Sequence, residues 1–280
     1  MLTFRIELIK AVFRRRTYIG FGGYCALMFL MYLGMTYSKK PYLTRITKEA
    51  GLNLSDFMNG TFFVSMALLP TVNLLYPVFV SLMAGDLLAA ETQQGTLRTM
   101  LVRPVDRWKV ILSKVAVLQI YLLALCAFLA LVSMLTGVLC LGSPGDLLIP
   151  RQFFNLGPGL YVYDLDAALK KLASVYLYVA LSGLLLGSIG MFVSLYCESS
   201  AAAVITTIVI YFVFNILGSL PPLEEFRPLL FTTHMEAWKL LMADPVPWGK
   251  LTRSITMMLT FAMTFFVLTV LGFTRKDVYC

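Results

Sequence analysis

Six long runs without a charged residue constrain the fold of this 280-residue chain more than any other feature. A chain needs about 20 apolar residues to cross a bilayer as a helix, and backbone amides find no water there. Only 14% of residues are charged, against roughly 25% in soluble domains. We therefore expect an all-α integral membrane protein. The runs are Thr17–Ser38, Phe57–Gly85, Val115–Gly145, Leu172–Cys197, Ser199–Leu223 and Ser254–Thr274.

These runs predict six transmembrane helices in one domain, residues 17–280. Their predicted spans are about 17–38, 60–85, 108–141, 172–197, 200–220 and 253–274. Arg14–Arg16 abut the first span, and positive charges beside the first span usually remain on the inner side of the membrane. We therefore expect a multi-pass protein with both termini in the cytoplasm.

Residues 1–16 precede the first span and have the pattern of an amphipathic helix. Leu2, Ile6, Ile9 and Phe13 recur at helical spacing, and the basic residues lie away from that stripe. Such a helix can lie in the membrane interface, with its basic residues near anionic headgroups. Its role is either general membrane anchoring or contact with a cytoplasmic partner.

Several residues inside the runs indicate helix packing. Pro70 and Pro77 should interrupt the second span, either at an ordinary packing site or beside a cavity. Gly183, Gly187 and Gly190 allow close approach of another helix, within the chain or across a dimer. The lone polar residues Gln119 and Asn215 should either hydrogen-bond across helices or face a substrate cavity. His234 lies outside the runs, in the last outer segment, and should have a surface or packing role.

Several function classes are disfavoured by what the sequence lacks. None of the six runs contains Asp, Glu, Lys, Arg or His, whereas proton relays and most ion-coupled carriers need such a residue at membrane depth. An intramembrane hydrolase would need a general base near its nucleophile. There is also no GxxxxGK[ST] phosphate loop, and the five cysteines form no CxxC pair. We expect a chain that is not an enzyme by itself and binds no cofactor or metal.

A charged island, Gly85–Lys114, separates the second and third runs. We expect the second span to end at Gly85-Asp86, a short helix over Leu87–Gln94 and a break at Gly95. A second short piece should then stop at Arg103-Pro104, and Asp106 should cap the helix that enters the third span. The island combines apolar faces with charges at Glu91, Arg98, Arg103 and Arg107, which suits a docking surface.

The island resembles that of the transmembrane permease subunits of ABC exporters of the ABC-2 type. The resemblance lies in Ala90-Glu91, Gly95-Thr96-Leu97 and Arg103–Trp108, with Leu112 and Lys114. The turn Cys197–Ala201 and the ending Leu271–Val278 are also similar to that family. This chain departs from the family in carrying Gln93-Gln94 where charged residues are common.

The resemblance implies a permease that forms the translocation pathway, with a cytoplasmic coupling helix between spans 2 and 3. Two copies of a separate ABC ATPase would bind ATP and Mg, and this chain would pair with a second copy or a homologous permease. Membrane lipids are expected partners and nucleic acid is not, and the expected location is the plasma (inner) membrane of a prokaryote. The implied ATPase-coupling residues are Asp86, Glu91, Gly95, Thr96, Leu97, Arg98, Arg103, Pro104 and Arg107, with Glu198 and Ser199 in a second cytoplasmic turn.

The competing hypothesis is a stand-alone membrane scaffold or assembly protein, or a membrane enzyme, without ATP coupling. In that case the island is only an amphipathic loop. If the chain is an exporter subunit, its aromatic and Met-rich spans favour lipidic, amphipathic or peptide-like cargo over a small ion.

Overall fold

The computed structural model describes residues 2–13, 15–37, 57–95 and 107–275, and most of them are helical. The helices are α1 (Leu2–Phe13), α2 (Ile19–Tyr37), α3 (Gly60–Gln93), α4 (Arg107–Leu141), α5 (Leu165–Tyr196), α6 (Ser200–Ser219), α7 (Phe231–Met235) and α8 (Trp248–Arg275). Short 3₁₀ helices cover Arg15–Tyr18, Arg151–Phe154, Pro221–Leu229 and Glu236–Met242. Two strands, β1 (Leu147–Pro150) and β2 (Leu160–Tyr163), lie between α4 and α5.

Among the described residues, five helices are long and apolar enough to cross a membrane: α3, α4, α5, α6 and α8. They indicate a multi-pass membrane protein, as the sequence predicts. The predicted first span corresponds to α2, whose apolar part, Ile19–Met35, is shorter than these five helices. A sixth span therefore stays a prediction.

The long helices run back and forth and define two ends of the bundle. At one end, which we call the α1 end, α1 lies beside the last turns of α3 and the first turns of α4. At the other, the hairpin end, strands β1 and β2 meet the start of α3, where Asn59 Nδ2 donates to the Asp146 carbonyl at 2.7 Å. The α1 end contains buried charged residues, whereas the hairpin end contains a small folded cap, made of β1, β2 and the short helices over Pro221–Met242.

Helix α5 lies at the centre of the bundle and contacts α3, α4, α6 and α8. Three of its glycines explain how the helices approach so closely. A Cβ on Gly187 would lie 2.4 Å from Leu118 of α4, and one on Gly190 would lie 2.8 Å from Ala84 of α3. The predicted glycine seam is therefore a packing seam within the chain.

Helix α3 contains a π-helical turn, Thr71–Leu75, between its two prolines. Because Pro77 has no N–H, the carbonyl of Asn73 loses its usual donor four residues later. The Tyr211 hydroxyl of α6 lies 3.5 Å from that carbonyl and takes the donor's place. The prolines thus interrupt the regular helix, as the sequence predicts, and a neighbouring helix supplies the missing hydrogen bond.

The hairpin end departs from an all-α fold because β1 and β2 pair antiparallel, with Leu147 opposite Tyr163. Gly157 and Gly159, both with positive φ, lie in the turn between the strands. Short helices over Pro221–Met242 complete the cap at this end. The Tyr178 hydroxyl of α5 donates to the His234 carbonyl at 2.7 Å, which fixes this cap to the bundle.

His234 is buried in the cap, which confirms the packing role. Its Nε2 lies 3.0 Å from the Pro228 carbonyl oxygen and its Nδ1 lies 3.3 Å from Ser254 Oγ. Burial lowers the pKa of His234 and so favours the neutral ring.

One local prediction is wrong: α3, the helix of the second predicted span, does not end at Gly85-Asp86 but continues to Gln93. The physical reason is tertiary packing against α5 and α6. Gly85 packs against the start of α6, and Ser194 Oγ of α5 donates to the Gly85 carbonyl at 2.8 Å. A glycine that would end an isolated helix here provides the space for a neighbouring backbone.

This packing predicts that Gly85→Ala destabilises the bundle. The new Cβ would lie 2.7 Å from Val204 Cγ2 and 2.9 Å from the Val204 backbone nitrogen, and the backbone cannot move aside easily. We expect a loss of about 1–3 kcal/mol, the usual cost of overpacking. The measurement is the midpoint of thermal unfolding in mild detergent.

Gly22→Ala is the matched control, because a Cβ on Gly22 meets nothing within 4 Å. It should leave the midpoint unchanged or raise it slightly, since alanine favours helix. Equal midpoints for the two variants would contradict the packing described for Gly85.

Candidate functional site

Four charged side chains from three helices meet at the α1 end, and we call them the charge cluster: Glu7, Lys10, Glu91 and Lys114. Lys114 Nζ lies 2.9 Å from Glu7 Oε2 and 2.9 Å from Glu91 Oε2. Lys10 Nζ lies 3.0 Å from Glu91 Oε1 and 3.4 Å from Glu7 Oε1. Each carboxylate therefore contacts both ammonium groups, and the four charges sum to zero.

Most of the charge cluster is buried. The side chains of Lys114 and Glu91 are each 1% exposed and that of Glu7 is 5% exposed, whereas Lys10 is 34% exposed at the rim. Burying charges away from water is costly unless opposite charges compensate, and removal of one partner leaves an uncompensated charge. The cluster therefore favours one arrangement of the three helices over others.

Local sequence alone does not explain the position of Glu91. It lies two residues before the end of α3, where the negative end of the helix dipole disfavours a carboxylate. Lys114 and Lys10 supply the positive charge that this position needs. Glu91 is accordingly a residue whose role depends on contacts distant in sequence.

The charge cluster adjoins both ends of the segment 96–106, which lies outside the described residues. Glu91 is in the last turn of α3, before that segment, and Lys114 is in the second turn of α4, after it. Glu7 and Lys10 belong to α1. A displacement of the segment would therefore act on the two helices that the cluster joins to α1.

A second set of polar contacts ties α3 to α5 and α6 at the same end. Asp86 is buried and accepts a hydrogen bond from Ser200 Oγ at the start of α6. Ser194 Oγ of α5 accepts from the backbone N–H of Ala89 at 2.7 Å. The last two turns of α3 thus form hydrogen bonds with α5 and α6 and ion pairs with α1 and α4.

The sequence-predicted site residues fall into three groups. Asp86 and Glu91 are both buried, whereas the island pattern predicts that the charge of Glu91 is left for water, headgroups or another protein. Gly95, with φ of 69°, follows the end of α3 and forms the predicted break. The others in the island lie outside the described residues or have undescribed side chains: Thr96, Leu97, Arg98, Arg103, Pro104 and Arg107.

The second predicted turn lies between α5 and α6, where Ser199 and Glu198 have different roles. Ser199 caps α6, because its side chain accepts a hydrogen bond from the backbone N–H of Ala202 at 3.2 Å. Glu198 is exposed at the α1 end. Of the two, Glu198 has the more exposed side chain.

Sequence reasoning missed Glu7, Lys10 and the pairing role of Lys114. One signal was present, since Glu7 is the only acidic residue in the basic segment before the first span. Within the described residues, no group of three or more His, Cys, Asp or Glu could hold a metal ion. The geometry of the site supports charge pairing that links α1, α3 and α4.

We predict that Lys114→Gln is strongly destabilising, because it removes the ammonium group that lies 2.9 Å from both buried carboxylates, Glu7 and Glu91. Breaking a buried ion pair costs about 3–5 kcal/mol. Thermal unfolding in detergent measures the effect.

Lys170→Gln is the matched control. Lys170 also pairs with a carboxylate, Asp166, but its side chain is 76% exposed, and exposed pairs contribute about 0.2–1 kcal/mol. Similar shifts for the two lysines would mean that the charge cluster does not hold the helices together.

None of the curated proteins compared with the chain matches it. A family model described as protein of unknown function, DUF2705, matches residues 23–279, a stretch that includes Glu91 and Lys114 and begins after α1. The chain belongs to the DUF2705 family.

Proposed function

We propose that this chain is the transmembrane permease subunit of an ATP-driven ABC exporter of the ABC-2 type. The observation that carries the proposal is the charge cluster, which joins both helices flanking the segment 96–106 to α1. The resemblance of residues 90–114 to the coupling region of such permeases supports the same function. In this proposal the segment docks on a separate ATPase.

The lengths of α3 and α4 support a projecting coupling region. At 1.5 Å per residue, these helices of 34 and 35 residues are about 50 Å long, whereas the hydrocarbon core is about 30 Å thick. Part of each helix must extend beyond the hydrocarbon unless the helices tilt strongly. The charged residues Asp86, Glu91 and Lys114 all lie towards the α1 end, so we assign the projection to that end.

We further propose that α2 is the first of six spans. It is a 19-residue helix, and its Tyr24 hydroxyl donates to the Leu129 carbonyl of α4 at 3.1 Å. Phe29 and Leu30 are exposed on its surface, as lipid contact requires. With Arg14–Arg16 beside it, the positive-inside rule assigns the α1 end and both termini to the cytoplasm.

The structure supports different roles for residues that the sequence groups together. Docking is assigned to the segment 96–106 and the exposed Glu198. Transmission is assigned to Glu91 and Asp86, because their carboxylates pair within the chain. A push on the segment would then reach α1 through the charge cluster and α6 through Ser200.

The proposal includes partners and a location. Two ATPase copies would bind ATP and Mg, and this chain would supply the pathway together with a second copy or a homologous permease. The assembly would lie in the plasma (inner) membrane of a prokaryote. This chain would not hydrolyse ATP.

Co-purification tests the proposal most simply. The tagged chain is extracted in mild detergent from cells that also express its neighbouring genes, and the ATPase that accompanies it is quantified. We predict that Arg103→Glu reduces the bound ATPase at least tenfold, because it reverses a charge in the docking segment. Glu91→Gln should retain the ATPase but lower its ATP turnover in the complex.

Lys250→Glu is the matched charge reversal at the hairpin end, where Lys250 is exposed, and it should retain the ATPase. If the wild-type chain purifies without any ATPase, the exporter proposal fails and the scaffold hypothesis takes its place. Equal retention by Arg103→Glu and Lys250→Glu would remove the docking role of the island.

A further inference from the structure

The hairpin end contains a polar cavity of about 450 Å³ that the proposed function does not use. It opens between the last turns of α6 and the short helices of the cap. Its volume lies within the range of about 300–1,000 Å³ that is usual for small-molecule sites. The side chains that matter for its chemistry are Asn155, Asn215, Arg227, Thr233, Glu236 and Lys239.

The one acidic group that lines the cavity in the described structure is already paired. Glu236 Oε1 accepts a hydrogen bond from Asn215 Nδ2 at 2.8 Å, and Glu236 Oε2 accepts one from Lys239 Nζ. Asn215 lies in the fifth predicted span, and its bond to Glu236 is the hydrogen-bonding role expected from the sequence. Glu236 and Lys239 together contribute no net charge to the cavity.

Arg227 supplies the positive charge of the cavity that is not cancelled by Glu236. Its Nε donates to the Gly218 carbonyl at 2.7 Å, which fixes the guanidinium at the wall of the cavity. Its other contact is with Glu224, at 3.2 Å, whose side chain is 71% exposed and does not line the cavity. Water screens such an exposed pair, so Glu224 offsets little of the positive charge inside.

The sum over the described lining is one positive charge, from two bases and one acid. A metal cation would be repelled by Arg227 and Lys239, whereas an anion would be attracted. A guanidinium fixed at one nitrogen presents its remaining N–H donors in a fork that matches a carboxylate or a phosphate. Thr233 and Asn155 add hydroxyl and amide groups for the polar remainder of a ligand.

The frame around the cavity is preorganised, which favours binding. The Tyr163 hydroxyl donates to the Met242 carbonyl at 2.9 Å, and Lys171 Nζ donates to the Ala243 carbonyl at 2.8 Å. Both contacts hold the cap against β2 and α5. A ligand would therefore meet groups that are already in place, at a low entropic cost.

We infer that this cavity binds a small organic anion, with its carboxylate or phosphate group on Arg227. The site lies at the opposite end of the bundle from the charge cluster and requires no ATPase. It is therefore independent of the exporter proposal, and either can fail without the other.

Isothermal titration of the purified full chain in detergent tests the inference with three probes. N-acetylglycine presents a carboxylate, glycerol 3-phosphate presents a phosphate, and N-acetylglycinamide is the neutral control. We expect millimolar or tighter binding of at least one anion and no binding of the amide. Binding of only one anion identifies the carboxylate or the phosphate as the recognised group.

Two variants locate the site. Arg227→Gln should weaken binding of the anion at least tenfold, whereas Arg253→Gln, an exposed arginine of α8 outside the cavity, should not. Asn155→Asp adds a negative charge to the lining without changing its size, and it should also weaken binding. Aspartate tolerates the left-handed backbone of Asn155, φ 58°, so this variant should fold.

The inference is overturned if the wild-type chain binds neither anion, or if Arg253→Gln weakens binding as much as Arg227→Gln. Should Arg227→Gln fail to fold, Asn155→Asp decides the question. Unchanged affinity in that variant overturns the inference, and a tenfold loss supports it.

Discussion

The pairing of two lysines, one buried and one at the rim, with two buried glutamates determines how the α1 end of this protein is built. Glu91 and Lys114 are almost fully buried, and neither would be stable there without the other or without Glu7 and Lys10. Because these residues belong to α1, α3 and α4, electrostatic compensation requires the three helices to stay together. The position of α1 against the bundle follows from this requirement.

The rest of the bundle supports that end through small residues. Gly187 and Gly190 bring α5 close to α4 and α3, and Gly85 brings α3 close to α6. Close packing lets α3 continue to Gln93, and this continuation positions Glu91 in the charge cluster. The prolines and the π-helical turn lie further along α3, where Tyr211 compensates for a lost hydrogen bond. Packing and charge pairing therefore act on the same helix.

Much of this architecture could be predicted from the sequence, because apolar runs, prolines and glycines act locally. The runs predicted the long helices, and Pro70 and Pro77 predicted the interruption of α3. The charge cluster could not be predicted, because Glu7 and Lys114 are far apart in sequence and periodicity does not reveal which charges meet. The break expected at Gly85-Asp86 was wrong for the same reason, since α6 determines the conformation there.

Hydrogen–deuterium exchange of the α1 amides in wild type and in Glu91→Gln tests the central claim most directly. Glu91 lies in α3 and contacts α1 through Lys10, whose Nζ lies 3.0 Å from Glu91 Oε1. The account predicts faster exchange in α1 and in the first turns of α4, with α5 still protected. Unchanged exchange in α1 would contradict the claim that the charge cluster holds α1 to the bundle.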